Sequence, residues 1–318
     1  MQARPYRVTH ETRYEYEAPV TSARHLLHLT PRATAWQTVR EHRCTVVPTP
    51  TERSEDTDFF GNGIVRLGID RPHDALAIIT ESTVEVRPRT PARSAPSPAW
   101  DAVRAELMQA PPDVQFETAQ YIAPSPFAPV HAELSAYART RLRPGMPWLD
   151  ALLALTLGIH ADFEFDPEAT TVSTPVRTVL ARRKGVCQDF AHLMTSCLRS
   201  LGLPARYMSG YILTTPPPGK PRLIGADASH AWVSAWCPEL GWVDFDPTNA
   251  KLADTEFVTL GWGRDFGDVT PIRGVVLGGG AQELDVRVTV LPLDEPAGSR
   301  PPPVVAPPAK ARQGKTSA

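Results

Sequence analysis

A single cysteine in the middle of the chain has the setting of a nucleophile. Cys187 follows Gly185, and after it apolar residues recur with the period of a helix as far as Leu201, where Gly202 provides a stop. The pattern predicts a helix that begins at Cys187. At that end the helix dipole stabilises a thiolate, and the unpaired backbone N–H groups can bind an oxyanion. The alternative is a buried structural cysteine, which is the usual fate of a free thiol.

A candidate base for this thiol lies on a downstream strand. Residues 229–237 read as a strand that carries His230, and a turn leads to a second strand with Asp244 and Asp246. If the hairpin is centred on Pro238, His230 lies directly opposite Asp246, with Cβ atoms ~5 Å apart, and Asp244 is its diagonal neighbour. Either carboxylate could accept a hydrogen bond from the ring and fix its tautomer. Spacing alone does not choose between them.

Each of these residues also has a structural interpretation. A strand histidine is often a hydrogen-bonded core residue, and Asp-Pro-Thr, as at Asp246, is a common turn opening. A helix-start cysteine, a strand histidine and an opposed aspartate together favour nucleophilic catalysis. His192 is a competing base. It lies one and a half turns along the same helix from Cys187, so its side chain points away from the thiol, and we expect it to be structural or supporting.

The elements that position these groups fall into two regions, the first of them rich in strands. Residues 6–16 alternate between two faces, as a half-exposed strand does. Asn62-Gly63 is a hairpin signal, and no helical period occurs before about residue 100. We therefore predict an all-β, sandwich-like or open-barrel domain over residues 1–86. Its further strands are expected at 23–30, 37–47, 63–69 and 76–86.

The second region, residues 100–295, is predicted to be the catalytic domain. Residues 87–99 are rich in proline, serine and arginine and form the predicted linker, and residues 296–318 form a tail expected to be disordered. The predicted fold class is α+β. The expected helices span 100–108, 131–142, 148–160 and 176–183, and the expected later elements are strands at 205–213, 242–245 and 283–290, a loop at 264–274 and a turn at 278–280.

Composition excludes several classes of function. The chain has 318 residues, is 42% hydrophobic and carries a net charge of -2, so neither nucleic acid nor a membrane is an expected partner. No signal peptide is apparent, and a cytoplasmic location is expected. The four cysteines are scattered without a C-x-x-C pair, which argues against a disulfide framework or a zinc site.

Three sequence blocks resemble those of the bacterial transglutaminase-like superfamily, whose members are often described as cysteine proteases. The blocks are Gly185-Val186-Cys187-Gln188-Asp189-Phe190-Ala191-His192-Leu193, Ser229-His230-Ala231-Trp232 and Gly241-Trp242-Val243-Asp244-Phe245-Asp246-Pro247-Thr248. The resemblance implies a papain-like, transglutaminase-like fold with a catalytic triad of Cys187, His230 and Asp246. Papain-like relatives place a glutamine shortly before the cysteine as an oxyanion donor. Residues 181–186 contain none, so the second donor is unassigned.

The expected activity is acyl transfer at an amide carbonyl, first of all hydrolysis of a peptide or protein amide. Transamidation of protein glutamine is the alternative, and a non-catalytic peptide-binding or scaffold protein is a third. No metal or organic cofactor is expected. Animal enzymes of the superfamily use calcium, but no acidic loop in this sequence demands it. The sequence indicates neither the substrate nor the oligomeric state.

Overall fold

The structure is a computed structural model that describes residues 2–92, 95–214, 223–224, 229–294 and 304–305. The predicted tail, 296–318, lies outside the described residues except at Val304 and Val305. Within the described segments, no helix combines the length and the apolar character that a membrane span requires.

Sixteen strands and six α-helices are present in these segments. The strands are β1 (Arg4–Leu27), β2 (Gln37–Val47), β3 (Glu52–Thr57), β4 (Gly63–Ile69), β5 (His73–Val86), β6 (Glu164–Phe165), β7 (Lys184–Gly185), β8 (Ala205–Ile212), β9 (Leu223–Ile224), β10 (Ser229–Cys237), β11 (Gly241–Asp246), β12 (Lys251–Leu252), β13 (Phe257–Gly263), β14 (Ile272–Gly278), β15 (Gln282–Pro292) and β16 (Val304–Val305). The helices are α1 (Val103–Leu107), α2 (Pro112–Ala119), α3 (Ala132–Arg139), α4 (Trp148–Asp162), α5 (Val176–Arg182) and α6 (Cys187–Ser200).

The long first strand organises a seven-stranded antiparallel sheet in the order β2-β5-β1-β4-β3. The first half of β1 pairs with β5, the second half pairs with β4, and the register shifts between Glu15 and Val20. Side chains from both halves, including Tyr6, Val8 and Leu27, belong to one buried core. This is the sandwich-like region that the alternating pattern predicted, with two predicted strands merged into β1.

The last two long strands also join this first sheet. β15 pairs with β1 from Tyr6 opposite Pro292 to Tyr16 opposite Gln282, and β14 pairs with the second half of β1. The prediction of a loop over 264–274 was wrong at its C-terminal end, because β14 already begins at Ile272. The predicted turn at 278–280 is confirmed, since all three glycines there have positive φ. We propose that residues 272–292 be grouped with the N-terminal unit; the other predicted domain boundaries stay a prediction.

The second sheet carries the candidate site. Its five strands run in the order β12-β11-β10-β8-β13, and α6 packs against β8 and β10. The helices predicted at 148–160, 176–183 and from Cys187 are confirmed as α4, α5 and α6. The sequence did not predict the short helix α2, which has a weak apolar period. Together the two sheets and the helices form the predicted α+β fold.

Two buried amides join the first sheet to β13. Asn62 donates to the carbonyl of Trp262 at 2.8 Å and accepts from its N–H at 3.0 Å, in the manner of a paired strand residue. Gln37 does the same with Thr259, at 2.7 and 2.8 Å. The predicted hairpin turn is confirmed, but Gly61 rather than Asn62 supplies its positive φ. Asn62 instead positions the turn against the second sheet.

Candidate active site

Cys187 is the first residue of α6, as the sequence predicted. The carboxylate of Asp189 accepts hydrogen bonds from the Val186 N–H at 2.8 Å and from the hydroxyl of Thr170 at 2.6 Å, which fixes the start of the helix. Gly185 permits this approach, because a Cβ there would lie 2.8 Å from an Asp189 oxygen. The Gly-Val-Cys-Gln-Asp run thus places the thiol at the positive end of the helix dipole.

Exposure separates Cys187 from the other three cysteines. Cys187 is partly exposed, whereas Cys44, Cys197 and Cys237 are buried, and all four are free. Burial raises the pKa of the Cys237 thiol to about 11 and also raises the pKa values of Cys44 and Cys197. Only Cys187 combines a free sulfur with access from outside the protein.

The imidazole of His230 lies between Cys187 and Asp246. His230 is 8% exposed and Asp246 is fully buried, and the His230 Nε2 atom lies 2.8 Å from Asp246 Oδ2. The Cys187 side chain is the other group close enough to raise the pKa of His230. Because Asp246 engages Nε2, Nδ1 is the ring nitrogen available to the sulfur. The three predicted residues therefore lie in one cluster, in the order sulfur, imidazole, carboxylate, with the imidazole and the carboxylate buried and Cys187 partly exposed.

Asp246 is held by more than the histidine. The backbone N–H groups of Thr248 and Asn249 donate to its Oδ1 at 2.9 and 3.2 Å, and the Asn249 side-chain amide donates to Oδ2 at 2.6 Å. Burial raises the pKa of the Asp246 carboxyl, but hydrogen bonds from His230 and Asn249 outweigh it, and the net pKa is lowered. Asp246 is consequently ionised at neutral pH.

The same contacts favour a charged imidazole. Burial lowers the pKa of His230, but hydrogen bonds to Asp246 and Cys187, together with their negative charges, raise it from 6.5 to about 10. A protonated His230 next to the Cys187 sulfur can donate a proton to a group that leaves during attack at this position.

The strand register differs from the one that the sequence suggested. Val233 pairs with Phe245 and Cys237 with Gly241, so the turn comprises residues 238–240 and is centred one residue later than predicted. Gly241, with φ of +66°, closes this three-residue turn. The prediction that His230 lies directly opposite Asp246 was wrong. Asp246 is its diagonal neighbour on the same face of the sheet, and the two side chains meet by leaning toward each other.

The two competing residues have other partners. Asp244 accepts a hydrogen bond from Trp232 Nε1 at 3.1 Å and pairs with Arg89 at 3.2 Å. His192 Nε2 accepts from the Phe266 N–H at 3.1 Å, and burial lowers its pKa to about 3. Neither is the partner of the thiol or of His230 in the contacts described.

An oxyanion near the sulfur would lie at the start of α6. The first backbone N–H groups of a helix lack intrahelical acceptors, and that of Cys187 is the one adjacent to the thiol. The side chain of Gln188 turns elsewhere and donates to the Val172 carbonyl at 3.1 Å. The second donor stays unassigned.

Comparison with known proteins identifies two matching families. Residues 6–85 match the bacterial transglutaminase-like N-terminal region, and residues 135–247 match the transglutaminase-like superfamily. The second match contains Cys187, His230 and Asp246. An uncharacterized protein of Mycobacterium tuberculosis is 39% identical over 308 aligned residues, which cover 91% of this chain and 93% of that protein. One from Mycobacterium leprae is 32% identical over 287, covering 89% and 97%.

Two further similarities concern proteins with more specific descriptions. A solved structure described as a candidate cysteine protease from Cytophaga hutchinsonii has a TM-score of 0.71, with 19% identity and 93% coverage of each chain, and so shares the fold. A protein-glutamine gamma-glutamyltransferase of Pseudomonas aeruginosa is 34% identical over 103 residues, which cover 30% of this chain and 15% of that protein.

Proposed function

This chain belongs to the transglutaminase-like superfamily, and from that membership we propose that it is a thiol-dependent acyl-transfer enzyme with a catalytic triad of Cys187, His230 and Asp246. The observation that carries the proposal is the 2.8 Å contact between His230 and Asp246, with Cys187 as the other partner of the imidazole.

The proposed reaction begins at the sulfur. The Cys187 thiolate attacks the amide carbonyl, and its backbone N–H helps to stabilise the oxyanion. His230 donates its proton to the departing amine, which leaves a thioester on Cys187. Asp246 keeps the ring oriented and stabilises its positive charge. Water, deprotonated by His230, then attacks the thioester, which releases the acid and restores the Cys187 thiolate and the protonated His230.

Hydrolysis of a peptide or protein amide is the first choice for the overall reaction. Transamidation, in which an amine replaces water, is the second candidate, and the similarity to a protein-glutamine gamma-glutamyltransferase supports it. A non-catalytic peptide-binding role stays a third interpretation. The cytoplasmic location and the lack of a required cofactor also stay predictions.

Mass spectrometry of the intact protein and its products tests the proposal. The protein is incubated with glutaminyl peptide amides, with and without excess primary amine. We expect a thioester adduct on the peptide that contains Cys187, absent in Cys187→Ala and present in the control Cys44→Ala. Free acid as the product means hydrolysis, and an amine adduct means transamidation. If Cys187 forms a thioester with none of the peptide amides in a broad library, the result would favour the non-catalytic binding protein.

A further inference from the structure

A cavity of about 520 Å³ opens between the N-terminal region and the second sheet. None of Cys187, His230 and Asp246 lines it. Its wall combines aromatic and charged side chains, with contributions from the loop after β1, the linker, α2 and three strands of the second sheet. Its lining includes Arg32, Ala35, Trp36, Arg89, Arg206 and Trp262.

Stacked guanidinium and indole groups build one wall of this cavity. The Arg206 guanidinium carbon lies 4.2 Å from the ring centre of Trp242 and 3.9 Å from that of Trp262. Arg32 lies 3.6 Å from the Trp262 ring centre. Two guanidinium groups this close to one ring must occupy its opposite faces, so the four side chains alternate in a stack. Stacking covers the two flat faces of the Arg206 guanidinium. Its N–H groups point outward from the edge of the plane, where they can donate hydrogen bonds.

Arg206 is a buried cation with an unpartnered donor. The residue is 3% exposed, and its buried Nε atom has no hydrogen-bond partner among the described residues. Burial lowers its pKa to about 10, opposed by the charge of Asp244, so it stays protonated at neutral pH. A buried charge normally acquires hydrogen bonds, because leaving its donors unpaired costs free energy. Arg206 therefore has a donor to offer a ligand.

Arg89 presents a second set of donors at the same cavity. One of its terminal nitrogens is 3.2 Å from Asp244, yet none of its three nitrogens makes a well-oriented hydrogen bond within the described residues. Its guanidinium carbon lies 5.1 Å from the ring centre of Trp36. Arg32, in contrast, already has hydrogen-bond partners: it donates to the carbonyl of Phe60 at 2.7 Å and to the Asn62 side chain at 2.8 Å.

We propose that this cavity binds a small organic carboxylate, with Arg206 and Arg89 holding its oxygens and the indoles packing against its apolar part. The charge balance selects a monoanion. Arg32, Arg89 and Arg206 supply three positive charges, whereas Asp244 and Glu117 supply two negative ones, so one positive charge remains. The forked guanidinium also matches the planar carboxylate.

The site is separate from the proposed triad but adjoins it through one side chain. Trp232 stacks beside His230, with ring centres 6.1 Å apart, and its indole N–H binds Asp244, the partner of Arg89. Because no triad residue lines the cavity, ligand binding can still be tested separately from the thiol.

Titration of the full-length protein tests the proposal. Acetate, benzoate and phosphate are added at constant ionic strength, and indole fluorescence and thermal stability are followed. We expect saturable benzoate or acetate binding, retained in Cys187→Ala and in the control Arg139→Gln, which removes a different arginine stacked near a tryptophan, Trp100. Arg206→Gln should weaken binding at least ~10-fold, the loss expected for one charged hydrogen bond.

A second variant covers the case in which Arg206→Gln does not fold. Ala35 is an exposed residue on the rim, and Ala35→Asp supplies a competing carboxylate without disturbing the stack. We expect it to abolish binding of added carboxylates. The proposal is overturned if neither carboxylate binds the wild-type protein saturably, if phosphate binds in preference to both, if folded Arg206→Gln or Ala35→Asp binds like wild type, or if Cys187→Ala loses binding.

Discussion

The imidazole of His230 and the carboxylate of Asp246 meet at 2.8 Å although their residues are not opposite each other in the β10–β11 hairpin. β11 pairs with β10 only from Val233 onward, and His230 pairs instead with Gly210 of β8. His230 and Asp246 thus occupy the frayed end of the hairpin. Their contact there depends on side-chain hydrogen bonds rather than on backbone pairing between the strands. Single substitutions can therefore remove the contact and leave the sheet in place.

Asp246→Asn should separate the proposed role of Asp246 from that of Asp244. The amide keeps the shape of the side chain but loses the charge that stabilises the imidazolium, so acylation of Cys187 should slow by roughly 10²–10⁴-fold. Asp244→Asn is the matched control, since Asp244 binds Trp232 and Arg89. We expect it to lower the free energy of unfolding with little effect on acylation. Equal slowing in both variants would contradict the assignment.

Asn249 is a positioning residue that the sequence analysis did not single out. Its amide donates to Asp246 Oδ2 at 2.6 Å, and it lies on an exposed turn. Asn249→Ala should raise the pKa of Asp246, slow acylation on the order of 10-fold and lower the unfolding free energy at neutral pH by about 1–2 kcal/mol. The acid limb of the pH profile should move to higher pH.

Thr248→Ala is the control for Asn249→Ala. Thr248 uses its backbone N–H to bind Asp246, and that donor survives the substitution. A pH profile that moves as much in Thr248→Ala as in Asn249→Ala would show that Asn249 does not act through Asp246.

The raised pKa of His230 predicts a pH-dependent contribution to stability. The pKa is 6.5 in the unfolded chain and about 10 in the folded protein, so binding of the proton favours folding. This contribution is complete below about pH 6.5 and is lost as the pH rises through about 10. His230→Gln should therefore show its largest deficit in unfolding free energy near pH 6, and the deficit should shrink toward pH 10.

Urea denaturation of wild type and His230→Gln at several pH values measures this difference. His42→Gln is a control of opposite sign, because burial lowers the pKa of His42 and its neutral form favours folding. Its deficit should grow, not shrink, as the pH rises through the ordinary range of histidine. A His230→Gln deficit that stays constant from pH 6 to 10 would exclude a charged imidazole.

Gly210 should be required for the packing behind His230. A Cβ at this position would lie 2.0 Å from the Val258 carbonyl oxygen and 2.8 Å from the Trp232 ring. Gly210→Ala should therefore cost several kcal/mol of unfolding free energy, roughly 3 kcal/mol or more. Gly145→Ala is the control, since a Cβ there meets nothing within 4 Å and only its positive φ is strained, which costs about 1 kcal/mol. Chemical denaturation of both variants gives the comparison.

Local sequence patterns predicted the helix and the strands that carry the site. They did not predict the strand register or the pairing between strands that are distant in the chain. The start of α6 at Cys187 follows from a short run of apolar spacing with a glycine before it, and β10 follows from alternation. The register of β10 and β11 depends on whether the turn closes at Gly241, a choice between two geometries one residue apart. The position of β14 and β15 beside β1 joins residues at least 245 positions apart, and no local pattern encodes it.

The stack around Arg206 was beyond prediction for the same reason. Its members come from the loop after β1, β8, β11 and β13, and arginine and tryptophan at such positions are usually solvated or packed singly. Asn249 carried a weak signal, because it lies just after Asp-Pro-Thr, where a turn brings its amide back to the carboxylate.

Thiol alkylation as a function of pH tests the central claim most directly. A free thiol with a pKa near 8.5 is only about 0.3% thiolate at pH 6, so it reacts slowly there. We predict rapid iodoacetamide modification of Cys187 at pH 6, mapped by peptide mass spectrometry, and at least ~10-fold slower modification in His230→Ala. Modification that follows the pH dependence of a free thiol, and that His230→Ala leaves unchanged, would contradict the triad.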